Sequence, residues 1–237
     1  MHLFYSTEQQ ETRFTLSEEE SRHAVRVLRL GLGDELLLTN GHGSLFTCKI
    51  IDPNPKHAVI GIVREQVTGN VKPWSLHVAI APTKNTDRFE WFLEKATEIG
   101  IDEVTPLFCD HSERTSIKSM RLEKVLVSAM KQSLKATLPQ LNAPQSFSAF
   151  ISNAFPGQKF IAWCETGQEE ALHRCYKRQG SALVLIGPEG DFSTGEVQAA
   201  KHAGYVAVSL GESRLRTETA GIVACHTINL LNTLSDE

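Results

Sequence analysis

Gly187-Pro188-Glu189-Gly190-Asp191 sits between the apolar run Ala182–Ile186 and a helix-like segment that starts near Thr194. In open α/β sheets, a turn between a strand's carboxyl end and the next helix is where ligands bind. Glycines bring the backbone close to a ligand, and carboxylates favour hydroxyls or a cation. No Gly-Lys-Ser/Thr follows, so this is not a Walker loop. Nor does the G-x-G-x-x-G spacing of a dinucleotide turn occur. Two acids with no basic residue make a poor phosphate cradle. The turn suits an uncharged nucleoside or a sulfonium better than a polyphosphate. A tight structural turn would use the same residues, and this segment alone does not separate the two readings. Ser193 and Glu196 have capping-box spacing with Phe192 as hydrophobic staple, so they need no chemistry.

A second segment, LGESRLRTETAG from Leu210 to Gly221, also lies at a strand end and leads into a helix. Thr217 or Thr219 is expected to cap that helix, which leaves Arg214 and Arg216 facing the loop. Two such loops at late strands of one sheet point to a single pocket.

The elements that must hold these loops change character along the chain. Over roughly the first 70 residues, strand-like runs at 14–16, 35–39, 45–51 and 58–65 are separated by tight turns at 40–43 and 52–55. Short strands of this kind predict a small β-barrel. Ser17 and Glu20 have the spacing of a capping box for one helix carrying Ala24, Val25 and Leu28. Gly69-Asn70-Val71-Lys72-Pro73 reads as a linker. Beyond it, strands at 76–81, 103–108, 160–164, 182–186 and 205–210 alternate with helices. Those helices are expected from Asp87, through 120–136, near 169–178, from Thr194 and over 219–234. That alternation predicts an α/β domain with a mostly parallel sheet. Asp87 and Glu90 are the expected box of the first of these helices.

Of the 237 residues, 41% are hydrophobic and 22% charged, an ordinary globular balance. No run approaches a membrane span, and the first residues lack the pattern of a signal peptide, so a soluble, cytoplasmic protein with no membrane partner is expected. The five cysteines are scattered, with no C-x-x-C among them. They read as free thiols in a reducing compartment, and no metal is predicted. In Cys109-Asp110-His111, neighbouring side chains seldom converge on one ligand. The net charge of −4 argues against indiscriminate nucleic-acid binding. The basic residues are nevertheless clustered. Arg22, Arg26 and Arg29 form one run, and residues 114–135 carry six basic side chains against Glu123 alone. A solvated helix face would look the same.

IGPEGDFSTGE followed by LGESRLRTETA resembles the late motifs of the SPOUT methyltransferases, more narrowly those of RsmE type. These methylate N3 of a uridine in 16S ribosomal RNA with S-adenosylmethionine. HAVRVLRL at 23–30, KATEIGIDEVTPLFCDHSER at 95–114 and KQSLKATLPQL at 131–141 carry the same resemblance, which covers nearly the whole chain. Two positions depart from the pattern. Asp191 stands where the family usually has glycine. Lys131-Gln132-Ser133-Leu134-Lys135 stands where it commonly has Glu-Gln-Ser, then Gly or Cys, then Arg.

The resemblance implies a PUA-like RNA-binding β-barrel at 1–70 and a SPOUT α/β domain at 74–237 with a C-terminal trefoil knot. It implies a homodimer acting on 16S rRNA within the small ribosomal subunit. In that family the late loops hold the cofactor. They map here onto Ile186, Gly187, Pro188, Glu189 and Gly190, then Leu210 and Gly211, then Leu215, Arg216, Thr217, Thr219 and Ala220. N3 of uracil carries a proton, so the enzyme must supply a base, or a cation for the uracil anion, or both. Arg216 is the expected cation, and Glu189 or Glu218 the expected base. RNA contacts are expected from Arg22, Arg26, Arg29, Arg88, Arg114 and Lys131. The alternatives are a SPOUT enzyme acting on transfer RNA or large-subunit RNA, or a non-catalytic RNA-binding module.

Overall fold

The computed structural model describes residues 2–67, 72–163 and 169–234. The expected linker residues Gly69, Asn70 and Val71 lie outside the described residues, as does Cys164, expected at a strand end. The chain divides into two compact units, one of Met1–Lys72 with Val127–Leu138 and one of Pro73–Leu126 with Pro139–Glu237.

The N-terminal unit is a curled six-stranded sheet. Its strands are β1 (Leu3–Tyr5), β2 (Gln9–Gln10), β3 (Arg13–Thr15), β4 (Glu35–Thr39), β5 (Ser44–Asp52) and β6 (Val59–Val67), in the order β1-β4-β5-β6-β3-β2. Register shifts between β5 and β6, at Thr47/Cys48 and Ile50/Asp52, add the local bend that curls the long strands. Alternation along β5 sends Phe46, Cys48 and Ile50 inward to meet Phe14, Leu38 and Ile60. Between β3 and β4 runs α1 (Glu18–Arg22), capped by Ser17 alone, because its expected partner Glu20 pairs with Lys131. The helix widens into a π-helical turn at His23–Val27, and Arg29 then takes a left-handed φ of 58°. Arg22, Arg26 and Arg29 stand exposed on this irregular stretch. The segment 127–138 joins the unit through hydrogen bonds such as Thr39 Oγ1 to the Ala136 carbonyl, 2.8 Å.

In the C-terminal unit β7 (Leu76–Ile80), α2 (Thr86–Ile99), β8 (Glu103–Phe108) and α3 (Ser119–Gln132) come first. There follow β9 (Gln140–Leu141), β10 (Gln145–Ser146), α4 (Phe147–Ile151), β11 (Gln158–Ala162) and α5 (Leu172–Cys175). Last are β12 (Ala182–Ile186), α6 (Thr194–His202), β13 (Val206–Val208) and α7 (Thr217–Thr233). The strands are parallel, in the order β10-β8-β7-β12-β11-β13, with β9 also on β8. Every residue of β7 and β12 is buried, as central strands covered on both faces require. From β12 the chain passes over β11 to the edge strand β13, then returns as α7, which packs on α2, β7 and β12.

Helix starts differ from expectation at two further places. Asn85, not Asp87, caps α2 by accepting from the Asp87 amide, and Glu90 pairs with Arg121 instead. Neither Thr217 nor Thr219 caps α7: Arg216 occupies the N-cap position in an extended conformation, with no side-chain cap bond. The capping box of Ser193 and Glu196 on α6 is complete, and Phe192 and Val197 share one core cluster as a staple would. The helix expected at 169–178 is a single turn, α5. Among the described residues, no helix is long and apolar enough to cross a membrane.

At the sheet's opposite end from the late loops, His77 is buried with Nε2 2.8 Å from Thr105 Oγ1 and Nδ1 3.5 Å from Glu103. Burial holds its pKa below the ordinary 6.5, against the opposing pull of Glu103. A histidine kept neutral by burial contributes stability that is fully present above its unfolded pKa and is lost as pH falls from there through its lowered folded pKa. Thermal stability should therefore drop between about pH 7.5 and pH 5.5, and drop less in His77→Gln, as melting curves at both pH values would show.

Candidate active site

The loops after β12 and β13, with the end of β11, line one cleft of about 940 Å³. Ile186, Gly187, Pro188, Glu189 and Gly190 form one wall, and Leu210, Gly211, Leu215, Arg216, Thr217 and Ala220 form the other. Thr219 is the exception among the expected cofactor residues. It faces a shallower neighbouring depression of about 540 Å³, together with Asp87, Arg88, Trp91 and Glu218. Arg216 borders both hollows. Because β11 lies between β12 and β13, its end contributes Ala162 and Trp163 to the cleft as well.

The first wall is held by a network that reaches three strand ends. Glu189 Oε1 accepts from the Lys84 amide at 2.9 Å, pinning the loop after β7. Arg114 donates to the carbonyls of Thr83 and Lys84 at 3.1 and 2.7 Å, tying the same loop to the one after β8. Asp110 accepts from Ser193 Oγ at 2.6 Å, and its amide donates to Glu196 at 3.0 Å. His111 Nδ1 lies 3.0 Å from both the Gly190 and Asp191 carbonyls. Two of the three adjacent side chains at 109–111 thus clasp the neighbouring loop. Burial and then Glu196 push the Cys109 thiol upward, so it stays protonated and is no nucleophile.

The local geometry accounts for Asp191 at a position where the resemblance leads us to expect glycine. Its φ is 61°, in the left-handed region, where Asp is tolerated because its short carboxylate bonds locally. Here Oδ1 accepts from the Phe192 amide at 2.7 Å, and the Asp191 amide closes a turn onto the Pro188 carbonyl. Gly187 needs its missing side chain for space, since a Cβ there would meet the Phe192 ring at 3.1 Å. In denaturant unfolding, Asp191→Gly should be neutral, while Asp191→Ala, which lacks the local bond, should cost about 1 kcal/mol.

The expected acids and bases are placed differently from one another. Glu218 is nearly buried at the start of α7, its carboxylate 3.8 Å from Arg88 Nε. Glu189 lines the main cleft, with one oxygen engaged by the Lys84 amide. Of the expected RNA contacts, Arg22, Arg26 and Arg29 are exposed, although Arg22 also bonds Glu18 at 3.0 Å. Arg88 faces Glu218, Arg114 holds two backbone carbonyls, and Lys131 bonds Glu20 in a mostly buried pair.

The lining is chemically mixed: apolar surface from Trp163, Leu210, Leu215 and Phe192, acids at Glu189, Asp191 and Glu212, and arginines at one mouth. Apolar walls with backbone groups from glycine-bearing loops fit an adenosine, and the acids fit a positively charged sulfonium. The volume is within the range of small-molecule sites.

A family model described as the RNA methyltransferase domain matches residues 70–229, and one described as the RNA methyltransferase PUA domain matches residues 16–63. The chain is similar to a probable rRNA-methyltransferase from Porphyromonas gingivalis, with 40% identity, a TM-score of 0.91 and 98% of each chain covered. It is also similar to ribosomal RNA small subunit methyltransferase E from Neisseria gonorrhoeae, solved with S-adenosyl methionine bound. There the identity is 26%, the TM-score 0.85 and the coverage 98% of each chain. A curated relative, ribosomal RNA small subunit methyltransferase E of Buchnera aphidicola, is 28% identical over 89% of this chain and 85% of its own length.

Proposed function

The chain belongs to the RNA methyltransferase domain family, and from that premise we propose that it methylates N3 of a uridine in 16S rRNA using S-adenosylmethionine. One observation carries this reading: both late loops wall one cleft, and Arg216 stands where that cleft meets a second hollow. Relatives named small subunit methyltransferase E support the substrate, and the one solved with S-adenosyl methionine supports the cofactor.

The bound cofactor supplies an electrophilic methyl carbon on a sulfonium. The loops from Ile186 to Gly190 and from Leu215 to Ala220 would hold it, with Trp163 and Leu210 against its apolar parts. Arg216 binds the uracil oxygens and stabilises the anion left when N3 loses its proton. Glu218, beside Arg216 in the second hollow, is assigned as the base that takes that proton. Glu189, engaged by the Lys84 amide, is assigned to holding the loop.

We assign RNA contact to Arg22, Arg26 and Arg29 of the PUA unit, with Arg88 near the reacting base. Arg114 and Lys131 are left with their internal bonds. Phosphate contacts release counterions, so affinity should fall steeply with salt, and Arg26→Ala should lower the slope of log affinity against log salt by about one. A slope unchanged in filter-binding titrations would remove Arg26 from that surface. The return of the chain from the edge strand β13 to α7 beneath the sheet centre is read as the crossing of a trefoil knot. A homodimer, a cytoplasmic setting and an assembled small subunit as substrate complete the reading.

The test is tritium transfer from labelled cofactor to ribosomal subunits that lack the modification, followed by nucleoside mass analysis. The expected product is 3-methyluridine in 16S rRNA. Label in transfer RNA or large-subunit RNA instead would replace the substrate, and no transfer to any RNA would overturn the assignment.

A further inference from the structure

We propose that His111 is the positioning residue of the cofactor loop, acting through the carbonyls of Gly190 and Asp191; this rests on the assignment of S-adenosylmethionine to the cleft. Both carbonyl oxygens lie 3.0 Å from Nδ1. Two acceptors can share one ring nitrogen only when that nitrogen carries the hydrogen. Nδ1–H is therefore a shared donor, in the neutral ring and in the imidazolium alike. Nε2 takes no part in the contact.

The clasp acts where the backbone of the loop takes its least common conformation. Asp191 holds a left-handed φ that most residues avoid, directly after a glycine with little steric preference of its own. A Cβ on Gly190 would come within 3.1 Å of His111 Cβ, so the ring's stem also packs against the turn. Asp110 and Glu196 fix the far side of the same turn, through Ser193 and the start of α6. Glu189 pins one end of the cleft-lining wall to the Lys84 amide, and His111 holds the other end, at Gly190 and Asp191. Without it, two adjacent carbonyls lose their shared donor, and the wall that meets the cofactor is free to relax.

Two amide variants read this atom by atom. Asn places its Nδ2 one bond from Cγ, as His places Nδ1, whereas Gln places its nitrogen one bond further, like Nε2. Calorimetric titration with S-adenosylmethionine should show binding about tenfold weaker in His111→Ala and His111→Gln, and near wild type in His111→Asn. At saturating cofactor, kcat should stay within about twofold of wild type in all three, so the loss is in KM. The pH profile of kcat should keep its shape, because the donor survives protonation of Nε2. Amide exchange at Asp191 in the cofactor-free protein should quicken in the Ala and Gln variants only. Unchanged binding and exchange in His111→Ala would overturn the proposal. So would rescue by Gln but not Asn, or a kcat loss with an altered pH profile, which would mark a base. If the wild type itself binds no S-adenosylmethionine, the cofactor reading fails instead, and Asp191 exchange still decides whether His111 holds the loop.

Discussion

Arg216→Ala should yield a protein that binds S-adenosylmethionine and scarcely transfers its methyl group, with kcat lowered by about 10²–10³-fold. Arg216 is exposed at the N-cap of α7, and among the described residues its guanidinium has no hydrogen bond or ion pair to give up. It is thus available to the uracil oxygens in a way that Arg88, facing Glu218, and Arg114, bonded to two carbonyls, are not. Charge on those oxygens develops fully only when N3 loses its proton, so the contact favours the transition state over the bound substrate. Its loss should therefore appear in kcat rather than in cofactor affinity. Arg216→Lys keeps the charge without the planar fork and should recover only part of the rate. Single-turnover rates beside calorimetric binding check both statements. Turnover intact in Arg216→Ala would remove the residue from the chemistry.

That Arg216 sits at a loop mouth was legible in the sequence; how it got there was not. Local composition exposed both late loops, because glycine, proline and acids at a strand end interrupt a pattern that otherwise alternates cleanly. Local composition also located β4, β8 and β12 to the residue, since each is a short apolar or β-branched run bounded by turn formers. What it missed depends on strand order. Trp163 reaches the cleft only because β11 lies between β12 and β13, an arrangement that no spacing within the chain encodes. His111 was hidden for the same reason: its partners are 79 and 80 residues away, and its neighbours in sequence gave no hint of them. Lys131 shows the converse. Its helix face looked basic and free, yet its partner Glu20 lies 111 residues earlier. Charge clusters in a sequence count residues of one sign without counting the acids that tertiary structure delivers to them. Asp191 was half legible: the departure from glycine was visible, and its left-handed φ supplies the reason.

Gly221 is where the fold and the site are most tightly joined. It lies on α7 one turn after Arg216, and a Cβ there would stand 2.6 Å from the Phe92 ring and 2.9 Å from Ile80 Cδ1. In an ordinary helix, Gly→Ala would gain up to about 1 kcal/mol. Here the gain should be reversed, because Phe92 and Ile80 are fully buried and have nowhere to yield. Overpacking of this kind typically costs about 1–3 kcal/mol, so Gly221→Ala should be less stable than wild type, and Gly221→Val should cost about 3 kcal/mol or more. The same substitution should damage turnover beyond what unfolding explains. Room for the methyl group comes from moving α7 away from α2, and α7 carries Glu218 and Ala220 as well as the Arg216 cap. A shift near one ångström in reacting groups is enough to lower kcat by about 100-fold. Denaturant unfolding separates the two losses when kcat is measured where the variant is still folded. Phe92→Leu supplies space where the Cβ needs it, so the double variant should be more stable than the two single losses added together. Strict additivity would mean that the α2–α7 contact is not what excludes a side chain at 221.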